Sequence, residues 1–488
     1  MSIVLVLIGL LGLGQSAEAA PVQVGGYMRV MTRPDVQGGN GTLGYWNLYG
    51  RLLNERGYTM LDTRVQLQEA DSFGDPWSSV HFRAEGGSIA NTDAGNGNLA
   101  NFRLSQVYLL SGNNIPNLIW QLGTLESYFG DLGLYDMRPA MVFTDTVGIS
   151  GRYQTERSEL LIGVGDAGYA KYGAEYNTVW TSGFTLRHRP INQLEFGIGG
   201  QGYLELGTPG NRNAPYTTPE MDYEDWLRGE VVEQFDAENP FDILEFPIPE
   251  LQNSSSYTAI GYVGFGGFGP VIWNNFYATY RTLHPEKYTT EYFEGQEFKL
   301  YTTDLTDERD ALLIGNEMQL RIVPNKWDIA WGLLYGRHQD GDNDIAPSDH
   351  DRTYASTVLR SQWYIRPEFH FLIESSIAQE VSHNGRAYRE HADSIFANTN
   401  GVADARGFEY GDTDTRITWQ GKTGVVLNPN GVGIFNRPSL RVLYGSQYSN
   451  QNNAFGNAFV ESLDQYNNFG NREQHWHHVV AVETESWF

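Results

Sequence analysis

Tyr27 and Arg29 stand two residues apart, so on a β-strand their side chains share one face, with Met28 and Val30 on the other. The same alternation sets Asp62, Arg64, Gln66 and Gln68 against Leu61, Val65 and Leu67, and it groups His81, Arg83 and Glu85. At the C-terminus Trp487 shares its face with Glu483 and Glu485. Aromatic rings among charged and amide groups suit recognition rather than bond-making. A flat ring can lie against the apolar side of a pyranose while carboxylates and guanidinium groups bond its hydroxyls. Patterns for catalysis are missing: there is no Gly-x-Ser-x-Gly elbow and no phosphate-binding loop. With zero cysteine there is neither a thiol nucleophile nor a thiolate metal site. Asp340-Gly-Asp-Asn-Asp344 has oxygen spacing that could hold Ca²⁺, but lacks the glycine and distal glutamate of a full loop. It reads as a solvated acidic loop. His475, His477 and His478 read as histidines at a strand end rather than a metal site. No enzyme activity, cofactor or metal is expected.

The elements that must position these residues are strands. In Trp327 to Arg337, Trp327, Ile329, Trp331, Leu333 and Tyr335 fall on one face, and Asp328, Ala330, Gly332 and Gly336 on the other. Phe369, Phe371, Ile373 and Ile377 likewise oppose Glu368, His370, Glu374, Ser376 and Glu380. About eighteen such segments follow one another from 23–32 to 477–488. Tight links such as Gln154-Thr-Glu-Arg157 and Arg189-Pro-Ile-Asn192 alternate with long ones at 33–57, 205–256, 281–311, 380–414 and 450–476. An even number of half-apolar strands, with short turns at one end and long loops at the other, describes an all-β transmembrane barrel. Closure leaves no unpaired edge in lipid. A propeller would need a fixed repeat and evenly long links, and neither is present.

Composition agrees with that reading. The 488 residues carry 33 Lys+Arg against 59 Asp+Glu, a net charge of −26 that argues against a nucleic-acid partner. Mean hydropathy of −0.42 excludes a helical membrane bundle. Hydrophobic residues at 40% suit strands with one lipid face and one wet face, and 55 glycines suit tight turns and a crowded lumen wall. Ile3 to Leu13 is apolar but too short to span a bilayer, and leads to Ala17-Glu18-Ala19, a signal-peptidase pattern. The expected organisation is a signal peptide at 1–19 and a single barrel at 20–488, in the outer membrane of a Gram-negative-type bacterium. Small ions and outer-membrane lipid are its expected partners. The long loops, with acidic runs such as Glu220-Met-Asp-Tyr-Glu-Asp225, are expected outside the cell. A general ion or small-solute channel, or a surface receptor acting through those loops, are the alternatives to a solute-selective pore.

Several patches resemble the maltoporin family of sugar-specific outer-membrane porins. Gly26-Tyr27-Met28-Arg29 resembles its opening strand, and Arg51-Leu52-Leu53-Asn54-Glu55, followed by Tyr58, its Arg-Leu-Gly-Asn-Glu motif. Phe102-Arg103 resembles a pair before the inward third loop, and Ile119-Trp120, Gly123, Asp131 and Asp136 resemble that loop. Tyr277-Ala278-Thr279, Arg437-Pro438 to Arg441-Val442, and Trp487-Phe488 resemble further strands. The resemblance implies a homotrimer passing sugars and oligosaccharides, with a constriction loop near 126–143 folded into the lumen. It also implies an aromatic track of Tyr27, Tyr58, Trp273, Tyr354 and Trp487. The implied polar track holds Arg29, Arg51, Arg103, Asp131 and Asp136. The family's constriction arginine and tyrosine fall near Phe129 and Arg138, so Arg138 joins the candidates while the gate chemistry differs.

Overall fold

The computed structural model describes residues 21–488 except 36, 38–40, 42, 45, 56, 73, 87–102, 169–177, 208–252, 284–287, 294–295, 302–308, 341–351, 384–414 and 451–473. The proposed signal peptide and the runs 220–225 and 341–344 thus lie outside the described residues. Twenty strands run in chain order. The first seven are β1 (Val22–Thr32), β2 (Tyr58–Gln68), β3 (Trp77–Gly86), β4 (Arg103–Gly112), β5 (Leu118–Tyr128), β6 (Met141–Gln154) and β7 (Ser158–Asp166). Next come β8 (Val179–Ile191), β9 (Leu194–Glu205), β10 (Ser254–Phe265), β11 (Val271–Leu283), β12 (Tyr288–Phe293), β13 (Gln296–Tyr301) and β14 (Arg309–Val323). The last six are β15 (Trp327–Asp340), β16 (Arg352–Arg366), β17 (Phe369–Ser382), β18 (Thr415–Leu427), β19 (Ser439–Ser449) and β20 (Trp476–Trp487).

Among the described residues, eighteen of these strands form one closed antiparallel sheet, in which β1 pairs with both β2 and β20. β12 and β13 form a separate hairpin within the link between β11 and β14. At the seam the Gly26 N–H donates to the Phe488 carbonyl at 2.9 Å and the Phe488 N–H returns to Gly26 at 3.1 Å. Every one of these eighteen strands pairs with a strand on each side, so the sheet has no edge strand among the described residues, as lipid requires. Each of the eighteen barrel strands overlaps one segment expected from alternation, whereas β12 and β13 lie in the stretch 281–311 expected as a long link. The links at 155–157, 192–193, 324–326 and 367–368 are short, and they lie at the end of the barrel where β1 begins and β20 ends.

Alternation sorts the side chains as the period of two demands. On β19, Leu440, Val442, Tyr444 and Tyr448 are exposed, while Ser439, Arg441, Gln447 and Ser449 are buried toward the lumen. On β17, Ile373 and Ile377 are exposed and His370, Glu374, Ser376 and Glu380 are buried. Apolar residues outside and polar ones inside invert a soluble protein, and suit a wall between hydrocarbon and water.

The interior is not empty. The link 129–140 crosses the lumen with Phe129, Leu132, Leu134 and Tyr135 fully buried. The Leu134 N–H donates to Glu317 on β14 at 2.8 Å, and the Tyr135 hydroxyl meets Ser356 on β16 at 3.2 Å. A second link departs from the sequence expectation. The stretch 33–57, expected outside the cell with the other long loops, folds into the lumen. It carries the four-residue helix α1 (Trp46–Tyr49), which packs on β16 and β17. Leu43, Leu48, Leu52 and Leu53 drive this, for they are buried where an outer loop would have left them in water. Leu53 holds a left-handed φ of +61°, a conformation a non-glycine keeps only where its surroundings impose it.

Candidate functional site in the lumen

The two inward links fill the side of the lumen nearest β14–β19 and leave a cavity of about 1600 Å³ against β1–β6. Its lining holds Tyr27, Arg29, Arg51, Tyr58, Arg103, Asp131, Asp136, Arg138, Trp273 and Trp487. Tyr354, the remaining sequence candidate, lies apart. Its ring covers Gly336 on the neighbouring strand, where a Cβ would stand 2.0 Å from the Tyr354 Cζ.

One wall is built around Glu485, which is 1% exposed. It accepts hydrogen bonds from the Tyr27 hydroxyl, Arg51 Nη2 and Arg441 Nη2, each at 2.6 Å, and pairs with Arg437 Nη2 at 2.7 Å. Arg29 donates to Glu55 and lies 3.5 Å from Asp136, and Arg51 Nε reaches Glu55 at 3.2 Å. Strand positions on β1 and β20 thereby hold both inward links by charge-assisted bonds, the stronger kind, while Arg441 on β19 braces Glu485. Asp136 turns through a left-handed φ of +49°, which aims its carboxylate back at Arg29 and Arg51. Burial, helped by the neighbouring Asp136, pushes the Glu55 carboxyl up to about 8. Burial works against ionisation of Asp136 too, yet the Arg51 guanidinium and a hydrogen bond from Glu55 hold it well below the usual carboxylate range. Glu55 therefore carries the proton of this carboxyl pair at neutral pH.

The adjoining wall on β2–β5 is looser. The Tyr58 hydroxyl donates to Glu85 at 2.6 Å, and Arg103, 79% exposed along its side chain, reaches Glu85 at 3.4 Å. Arg83 pairs with Asp62 at 2.9 Å, and Glu126 is approached by Arg138 at 3.3 Å and by Arg83 at 3.8 Å. Aromatic rings stand beside these charges. Tyr27 lies 4.6 Å from Trp487 and 5.9 Å from Tyr58 between centroids. Trp273 lies 6.0 Å from Phe435 of the 428–438 link, with its Nε1 donating to Gln319 at 3.0 Å. Such a site can stack a ring, bond hydroxyls and steer ions.

Glu55, Glu85, Arg437 and Glu485, which the sequence places on strand faces or in the resembling patches without a site role, belong to this site, and so does Glu126, which nothing in the sequence singles out. Glu485 was within reach of parity, since it shares a strand face with Trp487. Glu126 and Arg437 were not, because Glu126 meets Arg83 on β3 and Gln106 on β4, and Arg437, on a link, meets Glu485 on β20. The C-terminal histidines go separate ways: His475 contacts the Ser449 carbonyl, His477 contacts Asp35, and His478 contacts the Tyr444 hydroxyl.

No protein-family model and no curated protein sequence matches the chain. Among solved structures it aligns with OprD of Pseudomonas aeruginosa at 9% identity and a TM-score of 0.41, covering 97% of each chain. OccAB2 of Acinetobacter baumannii aligns at 8% identity and 0.42, over 97% of this chain and 99% of that one. OmpT, an outer membrane protein of Vibrio cholerae, aligns at 7% and 0.37, over 97% of this chain and 99% of that one. Likenesses this distant carry no argument about activity. They do correct the maltoporin resemblance, because the structures found are OprD, Occ and OmpT barrels instead. The physical reason is visible in the patches. Arg29, Arg51 and Glu55 lash two inward links to the wall, a task that any barrel with a folded-in loop can meet with similar residues. Short runs of strand-and-anchor residues do not identify a family.

Proposed function

We propose that the chain is an outer-membrane porin for passive diffusion of small polar solutes, with hydroxylated rings of the sugar class among those its lumen binds. The carrying observation is Tyr27 and Trp487, rings 4.6 Å apart on the cavity lining, beside the Glu485–Arg51–Arg437 cluster. A ring held against these faces keeps its hydroxyls within reach of groups that donate and accept. The outward apolar face supports residence in a membrane, and the long-link end would face outside the cell. Passage down a gradient asks for no catalysis and no cofactor.

Single-channel recording of the purified protein in planar bilayers tests the reading, with glucose, sucrose and a glucose oligomer added in turn. Sugar-dependent interruption of ion current is the expected result, and Trp487→Ala should weaken it with the barrel still assembled. Current indifferent to every sugar would overturn the ring-binding reading. That result would favour a general channel for ions and small solutes, which the exposed Arg103 and Arg138 would also serve. Absence of any conductance would overturn the porin itself.

A further inference from the structure

A second cavity of about 240 Å³ lies along β3–β7 on the short-link side of the first. Arg83, Gln106, Thr124, Glu126 and Tyr128 line both spaces, so the two adjoin at these residues. Glu126 is the centre of the neck: Gln106 on β4 donates to it, Arg138 approaches from link 129–140, and Arg83 from β3. Beyond the neck the wall is aromatic again. Tyr108 stacks on His81 at 4.7 Å with planes 11° apart, and Ser79 holds the His81 Nε2 at 3.1 Å. Trp77 lies flat over Gly112, where a Cβ would stand 2.5 Å from the indole, and the Arg64 guanidinium lies 5.7 Å from its centroid. Gln121, Ser150 and Arg152 supply polar groups on the same lining. Rings held by their neighbours on adjacent strands, with amide, hydroxyl and guanidinium groups on the same lining, repeat the chemistry of the upper cavity in a smaller volume.

We infer that this lower chamber is a second binding subsite, taking one hydroxylated ring after it passes the Glu126 neck and before release at the short-link end. The inference rests on the ring-binding reading of the upper cavity. Transit then has two bound states in series, one at Tyr27 and Trp487 and one at Tyr108 and Trp77.

Dwell-time analysis of sucrose interruptions in the full-length channel tests this. Two dwell classes are expected in the unaltered protein. Tyr108→Ala should shorten one class by about three- to tenfold, the loss expected for one stacked ring, and Tyr108→Phe should restore it. Trp487→Ala should shorten the other class. If Tyr108→Ala does not insert, Tyr108→Leu supplies the same comparison with the apolar volume kept. Sucrose block with a single dwell class that is insensitive to Tyr108 and Trp77 replacements would overturn the second subsite and leave the upper one standing. No sucrose block at all would instead remove the reading on which both rest.

Discussion

A carboxyl that keeps its proton is a control point in a water-filled channel. Glu55 is 5% exposed and shares its surroundings with Arg29, Arg51 and Asp136. Its folded pKa of about 8 stands above the ordinary 4.5, so the folded protein binds this proton more tightly than the unfolded chain. The associated stability is full below pH 4.5 and is lost as pH rises through 8. Above pH 8 the lumen also gains one negative charge. Two outcomes are therefore expected: a urea midpoint that falls as pH rises from about 4.5 to about 8 and then levels off, and a reversal potential moving toward cation preference as pH passes 8. Glu55→Gln should flatten both, and a pH-independent reversal potential in the unaltered channel would refute the protonated Glu55. Glu485 is the complementary case. Its removal would strand Arg51, Arg437 and Arg441 together, so Glu485→Ala is expected to cost about 3 kcal/mol, read from denaturant unfolding in detergent.

At the scale of elements, the channel is shaped by how links seat on the wall. The lumen-facing glycines mark the seats. A Cβ at Gly332 would meet the Tyr135 ring at 2.6 Å, and one at Gly197 the Phe129 ring at 2.5 Å. Gly445 receives Leu53 and Leu43 in the same way. Polar lashings then hold the links down: Lys422 donates to the Tyr49 carbonyl and to Glu374, both at 2.8 Å, and Arg360 pairs with Glu374 at 2.6 Å. Gly332→Val should unseat Tyr135 at a cost of about 1–3 kcal/mol. The strands have their own ladder, so the expected phenotype is a barrel that still assembles but conducts differently. Unaltered conductance in Gly332→Val would show that link 129–140 does not set the passage. These seats explain what could and could not be read from sequence. Strand faces follow a period of two, and Trp331, Leu333 and Tyr335 announce it. Link placement has no such period. Leu43, Leu48, Leu52 and Leu53 were the available signal that 33–57 turns inward, four leucines an outer loop has no use for. Their seats on β16–β19 are hundreds of residues away in sequence and invisible without the fold. Ten of the candidate positions nevertheless line one cavity, because lumen parity and anchor chemistry follow from a barrel with folded-in links and not from one family's sequence. The family inference failed for that reason.

Over the whole molecule, charge is distributed in a way that separates the mouth from the passage. The upper cavity is lined by six arginines and seven Asp or Glu residues, close to balance. The net −26 must be carried elsewhere, and the link 206–253 alone holds eleven Asp or Glu residues against two arginines. That link joins β9 to β10 at the long-link end. Carboxylates tethered at that end would raise the local concentration of cations ahead of the nearly balanced cavity. Its reach is set by screening, about 10 Å at 0.1 M salt and about 3 Å at 1 M. Cation preference measured across a KCl gradient should therefore be clear near 0.1 M and nearly vanish near 1 M. Changing Glu220, Asp222, Glu224 and Asp225 to their amides should reduce the low-salt preference while leaving the open conductance at 1 M in place. Preference that persists at 1 M, or that survives this neutralisation, would assign selectivity to the lumen carboxylates around Glu126 instead. The pH behaviour of Glu55 keeps the two sources apart, since titration within the lumen should shift the reversal potential at high salt as well as low, whereas a mouth effect disappears with screening.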